Sequence, residues 1–170
     1  AITPAGATVV GIGEAGGMAI VHFTVRRQLS LPALEVFDEL IDWLGHAKWV
    51  PLTRVVIEDG DGGVGTVFVA TTGIGPFALP DRMRVDALDR DMMTVRIAKI
   101  GPVLTGDVAL QVTPAGDATC DLLWDENVAV PVLPQFLAKP VGAVAAVAFS
   151  VSISAMAKRV HSRLQLVPHA

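Results

Sequence analysis

From Ile20 the chain alternates. Val21, Phe23, Val25 and Leu29 fall to one side, and His22, Thr24, Arg26 and Gln28 to the other, with Arg27 as the exception. A period of two is that of a half-buried strand, and its β-branched and Phe content suits one. Pro32 ends the strand and suits the first turn of a helix. Over "PALEVFDELIDWLGHAKWVP", Leu34, Phe37, Leu40, Ile41 and Leu44 recur at helical spacing, while Glu35, Asp38, Glu39 and Asp42 point away. Gly45 is a plausible stop, and a second short turn ends at Pro51. Six strand-like segments follow: "TRVVIED", "VGTVFVATTG", "DRMRVDALD", "MMTVRIAKIG", "VLTGDVALQVTP" and "ATCDLLWDENVAV". Turn signals such as "GDGG", "DRD" and "AGD" separate them, and no helix-length segment intervenes. With the first strand this predicts about seven antiparallel strands. The end reads as one helix with a stripe at Phe149, Ile153, Met156, Val160 and Leu164. Lys158, Arg159 and Arg163 suit its negative end, and Pro140 starts or kinks it.

Composition adds a suspicion of a cavity. The chain has 170 residues, 52% hydrophobic and only 18% charged. That length suits one domain, and the apolar content exceeds what a small core needs. A greasy cavity or interface is therefore expected. Net charge is −4 with no basic run, which argues against a nucleic-acid partner. A single cysteine, Cys120, leaves no internal disulfide and no Cys-rich zinc site. No basic segment precedes an apolar run near Ala1, so a signal peptide is not supported and a cytoplasmic location is expected. Val141 to Ala157 carries no charge, at the short limit of a membrane span. Its Ala, Ser and Gly content and the lack of flanking Trp favour a buried helix over a span.

Residues 11–17, "GIGEAGG", spell G-x-G-x-x-G. A dinucleotide site needs a helix to begin at that turn and an acid to close a second strand about 20 residues on. Here the glycines lead into the strand at Ile20, and Glu35 falls in a helical pattern. No helix N-terminus is available for a pyrophosphate, so no dinucleotide or other cofactor is expected. Residues 1–17 read as a flexible or hairpin-like leader ahead of a single domain at 18–168.

The order of elements is strand, helix pair, six antiparallel strands, long helix. With "LSLPALEVFDELIDWLGHAKWVP", its Val36–Phe37 pair and Trp49, and with the hairpin "GGVGTVFVATTGIGPFALPDRMRV", the chain resembles the START/birch-pollen-allergen-like (SRPBCC) superfamily. The likeness is to its polyketide cyclase/dehydrase and lipid-transport branch and covers about residues 20–165. It implies an α+β helix-grip fold, a curved sheet around the C-terminal helix with a cavity between. Phe149, Ile153 and Met156 would face that cavity, and Gly142, Ala145, Ala146 and Ala148 would permit close approach.

Alternation then nominates polar groups. In "ATCDLLWDENVAV" the apolar side is Cys120, Leu122, Trp124 and Val128, and Glu126 falls among them. Glu126 is either a polar anchor or acid/base inside the pocket, or a rim residue that is exposed or ion-paired. In "MMTVRIAK", Met92, Thr94, Arg96 and Ala98 oppose Met93, Val95, Ile97 and Lys99. Either face could be inner: Arg96 reaches a ligand carboxylate, or Arg84 and Arg96 pair with acids such as Asp86 outside. Trp49, at the cavity mouth, and Phe68, Met83 and Trp124 complete the expected ligand wall, though Trp and Met also serve as plain packing. Cys120 reads as a small buried hydrophobe. His22, His46, His161 and His169 form no metal-ligand spacing, so no metal is expected. They read as surface residues, with His46 or His161 a general base only if it reaches the cavity.

The reading that follows is a binder of a small hydrophobic molecule, a lipid, polyketide or aromatic metabolite. A polyketide cyclase/dehydratase-type enzyme using the same cavity is the alternative, with Glu126 its candidate catalytic group. A protein-interaction module is a further one. Partners other than the ligand are limited to a transient membrane contact, and the chain is a monomer or homodimer.

Overall fold

The computed structural model describes residues 6–11, 19–130 and 133–166. The seven expected strands are present: β2 (Ala19–Leu29), β3 (Thr53–Asp59), β4 (Val67–Thr72), β5 (Leu79–Asp89), β6 (Thr94–Ile100), β7 (Thr105–Gly116) and β8 (Thr119–Val130). An eighth, β1 (Gly6–Gly11), pairs antiparallel with β2 from Gly6 opposite Arg26 to Gly11 opposite Val21. Part of the expected leader is thus the first arm of a hairpin; the rest of the glycine motif, residues 12–18, lies outside the described residues. The order across the sheet is β1-β2-β8-β7-β6-β5-β4-β3, antiparallel throughout. Helix α1 (Ala33–Ile41) and a 3₁₀ turn (Leu44–Lys48) join β2 to β3, and α2 (Ala138–Gln165) closes the chain.

Bulges at Ile57/Asp59, Val85/Ala87 and Pro114/Gly116 interrupt the ladders. Bulges increase twist and bend strands, which is how a sheet comes to curve around a helix. On the concave side, Val25, Val85 and Val95 are fully buried, and Ile153, Met156 and Val160 of α2 pack with them in one core. Each such side chain contributes about 1.5–3 kcal/mol by leaving water. Pro140 sits in the first turn of α2, where its missing N–H costs nothing.

Three local expectations change. Helix α1 stops at Ile41, before Gly45, because the chain must turn Trp43 inward. Trp43 Nε1–H donates to Gly62 O at 2.8 Å, and its ring stacks on Phe68 at 4.9 Å. Leu44 therefore leaves the apolar stripe, and it and Leu34 are exposed. Glu39 does not point to solvent. Its side chain is only 2% exposed and accepts from Arg159 Nε at 2.9 Å and Arg163 Nη1 at 2.7 Å. Arg163 also pairs with Glu35 at 3.0 Å, so the cations near the end of α2 fasten it to α1. Arg27, the exception in the first strand, is buried on the inner face. It donates to Ser150 Oγ at 2.9 Å and Ser154 Oγ at 3.2 Å, tying β2 to the middle of α2.

The α1–α2 clamp is asymmetric: Glu39 is buried, whereas Arg159 and Arg163 are each nearly half exposed. Removing both arginines strands a buried carboxylate; removing the charge of Glu39 leaves cations that water can solvate. Arg159→Ala with Arg163→Ala is expected to cost about 3–5 kcal/mol, and Glu39→Gln only about 1 kcal/mol, in urea unfolding at pH 7.

Candidate functional site

Alternation along the inner face builds the site. Residues two apart point into the fold from four strands: Phe68, Ala70 and Thr72 on β4, Met83 and Asp81 on β5, Ile97 and Lys99 on β6, Trp124 and Glu126 on β8. In each case the polar member lies nearer the sheet end that carries the loops after β4, β6 and β8. His46 and Val50 enter from the segment after α1, with Thr53 from β3, Val108 from β7 and Phe149 from α2. Together these residues enclose a cavity of about 100 Å³. Its walls are apolar toward the middle of the sheet and polar toward the loops.

The polar end is a buried ionic cluster. Lys99 Nζ donates to Asp81 Oδ2 and lies 3.1 Å from Glu126 Oε1. Trp124 Nε1–H donates to Glu126 Oε2 at 2.9 Å. Side-chain exposure is 4% for Lys99, 5% for Glu126 and 16% for Asp81. Glu126 thus combines two alternatives left open by the sequence: it projects inward and it is ion-paired. The residue opposite Lys99 on β7 is Gly106. Gly106 has φ of +141°, and a Cβ built on it would lie 2.0 Å from Asn127 O, so no side chain can occupy that point. Burial alone lowers a lysine's pKa, but the charges of Glu126 and Asp81 outweigh it and hold the Lys99 ammonium above its usual value. Asp81 Oδ1 is buried and has no hydrogen-bond partner among the described residues.

His46 is buried rather than on the surface. Its ring packs on Trp49 at 4.6 Å and edge-on to Trp43 at 5.7 Å. Nε2 lies 2.7 Å from Leu40 O. A carbonyl only accepts, so Nε2 carries the proton and Nδ1 of the neutral ring keeps its lone pair. Burial pushes the His46 pKa down, against the Leu40 hydrogen bond and the charges of Asp42 and Glu39. Cys120 is likewise buried, and burial with neighbouring Asp121 pushes its thiol up to about 11, leaving it unreactive at neutral pH.

Of the side chains nominated from sequence, Phe68, Met83, Trp124, Glu126 and Phe149 line the cavity. Trp49 does not; it packs behind His46 as part of the core. Ile153 and Met156 are fully buried in the core further along α2, past the cavity. Arg96 is on the outer face and exposed, since Val95, Ile97 and Lys99 take the inner one. Arg84 is outside too, paired with Asp86 at 2.6 Å. Sequence reasoning missed Asp81 and Lys99, and it read His46 as a surface residue, a general base only if it reached the cavity, which it does. The alternation signal for the first two was present, Asp81 with Met83 and Val85, Lys99 with Val95 and Ile97. Among the described residues no cluster of His, Cys, Asp or Glu could hold a metal ion.

A curved antiparallel sheet closed over a long C-terminal helix, with a cavity between them, defines a helix-grip protein, and the chain has the fold of the START/birch-pollen-allergen-like superfamily. Solved structures of that superfamily match it along most of their length. The Zhui aromatase/cyclase from Streptomyces sp. R1128 superimposes with a TM-score of 0.73 at 16% identity, over 85% of this chain and 96% of that one. Norcoclaurine synthase from Thalictrum flavum, in complex with dopamine and hydroxybenzaldehyde, gives 0.65 at 18% identity, over 95% and 98%. The allergen Ara h 8.0201 gives 0.62 at 18% identity, over 84% and 99%. No protein-family model and no curated protein sequence matches the chain.

Because His46 has a lower pKa folded than unfolded, the unfolded chain takes up its proton first. Stability held above pH 6.5, the ordinary histidine value, is therefore lost as the pH falls below it. Urea midpoints are expected to drop as the pH falls below about 6.5, and His46→Gln is expected to flatten that slope.

Proposed function

We propose that the protein binds a small, mainly apolar molecule in the cavity between sheet and α2, with the ligand's polar end at the Asp81–Lys99–Glu126 cluster. The observation that carries this reading is the cavity itself: Phe68, Met83, Ile97, Val108, Trp124 and Phe149 enclose space that no side chain of the described residues fills, beside fixed polar groups. Apolar walls with a few placed polar groups are the usual make-up of a ligand site. Affinity comes from apolar area removed from water, about 25 cal/mol per Å².

Size selects among ligand classes. A space of about 100 Å³ is on the scale of the roughly 150 Å³ cavities that take up benzene. It is well below the ~300–1,000 Å³ of pockets for drug-sized ligands. A single-ring aromatic metabolite fits it; a long lipid or an extended polyketide requires the cavity to widen. The dopamine and hydroxybenzaldehyde complex of a similar fold is consistent with guests of that size.

A second reading, a cyclase- or dehydratase-type enzyme, is favoured by one observation. His46, neutral with a lone pair on Nδ1, lines the same cavity as the Lys99 ammonium. That pairs a base with a cation able to stabilise a developing oxyanion. Glu126, the candidate catalytic group of the alternative reading, has both oxygens engaged by Lys99 and Trp124 and so serves to hold the cation.

The carrier reading is tested by filling the space. Ala70→Phe projects a ring into the cavity from β4. It is expected to weaken binding of toluene at least about tenfold in calorimetric titration, since it removes the space in which apolar area is buried, with the unfolding midpoint nearly unchanged. Equal toluene binding by both proteins contradicts the reading.

A further inference from the structure

Resting on the cavity reading above, we infer that the site is selective for cations: its guest is a small primary amine on an aromatic or aliphatic body, with its ammonium seated against Asp81 and Glu126. Three charged side chains meet at the polar end of the cavity, two carboxylates and one ammonium. One negative charge is therefore in excess, in a place where water cannot solvate it fully. Buried charge is costly unless it is paired and hydrogen-bonded. Not every carboxylate oxygen of the cluster has a protein donor among the described residues. Glu126 uses both oxygens, on Lys99 and Trp124, and Asp81 uses Oδ2 on Lys99, but Asp81 Oδ1 is buried without a donor. An ammonium supplies a positive charge and three donors at once; a hydroxyl supplies one donor and no charge; a carboxylate adds to the excess.

The surroundings favour the same choice. Lys99 is held protonated by these carboxylates despite its burial, which means that the local potential is negative enough to outweigh desolvation. Trp124 and Phe149 stand with ring centroids 4.6 Å apart on the cavity wall, and aromatic faces attract cations as well as apolar bodies. Lys99 itself sets the limit. It neutralises one carboxylate, so the site has room for one added positive charge and not for two.

Three probes of similar size and different charge separate the cases: benzylamine, ethylbenzene and benzoate, titrated against the protein at pH 7 and low salt. Benzylamine is expected to bind at least about tenfold more tightly than ethylbenzene, a factor of ten being about 1.4 kcal/mol, and benzoate more weakly than either. Asp81→Asn is expected to reduce the amine preference to less than about threefold while ethylbenzene binding persists. If Asp81→Asn does not fold, Glu126→Gln, which also removes one negative charge, is expected to shift the preference the same way. Ethylbenzene binding as well as benzylamine in the wild-type protein overturns the inference and leaves the apolar cavity reading intact. Binding of none of the three overturns both.

Discussion

A lysine ammonium that faces the inside of a sheet has to be met by carboxylates, and the geometry of this site follows from that requirement. Removing an ion from water costs several kcal/mol even after relaxation. Lys99 is compensated only because the register of β5 with β6, and of β7 with both β6 and β8, brings Asp81 and Glu126 within reach from opposite sides. On the strand between Lys99 and Glu126 the residue opposite Lys99 is Gly106, whose positive φ and closeness to the Asn127 carbonyl admit no side chain. A one-residue slip in any of these ladders would turn a charge outward and leave its partner buried alone. The cluster thus fixes the register of the central strands and, with it, which apolar side chains form the walls. The space beside it stays open because its neighbours there are small: Ala70, Thr53, Thr72 and Val50 cannot fill what Phe68 and Trp124 leave.

Helix α2 completes the enclosure and is held unevenly. Its C-terminal half is clamped by Glu39 to Arg159 and Arg163, and its middle is tied by Arg27 to Ser150 and Ser154. Its N-terminal half sits close through Gly142 and Ala146, while Val144, Val147 and Val151 face outward. By length and composition alone α2 is long and apolar enough to cross a membrane. In the fold one face of it forms the roof of the core, with Ile153, Met156 and Val160 fully buried.

The pattern of the chain made the architecture legible and the site only half so. Period-two runs located seven strands, and the stripe from Phe149 to Leu164 located α2, because burial on one face writes itself directly into spacing. Glu126 was found the same way, as a charge in an apolar register. The same rule applied to β6 points to Lys99, but a lysine is assigned to solvent by habit of composition, and Arg96 on the other face took its place. Only tertiary pairing with Asp81 and Glu126 makes an inward lysine tolerable, and that pairing joins strands far apart in sequence. Glu39 was misplaced for a similar reason: α1 read by itself has a polar face, and nothing in nine residues shows that α2 will cover part of it. His46 depended on where α1 stops, which is set by the inward turn of Trp43. The strand Gly6–Gly11 was obscured by its glycines, and its pairing with β2 supplies the order that its composition does not.

The indole of Trp124 reports on the centre of this arrangement, since its N–H is bound to Glu126 and its ring lines the cavity. The indole of Trp43 donates to Gly62 O and lies outside the lining. The most direct measurement follows the Trp124 and Trp43 indole N–H resonances by NMR during titration with ethylbenzene. A saturable shift of Trp124 with Trp43 unmoved is the result that a guest beside the buried cluster requires. A Trp124 resonance that stays still, or moves only in step with Trp43, contradicts it.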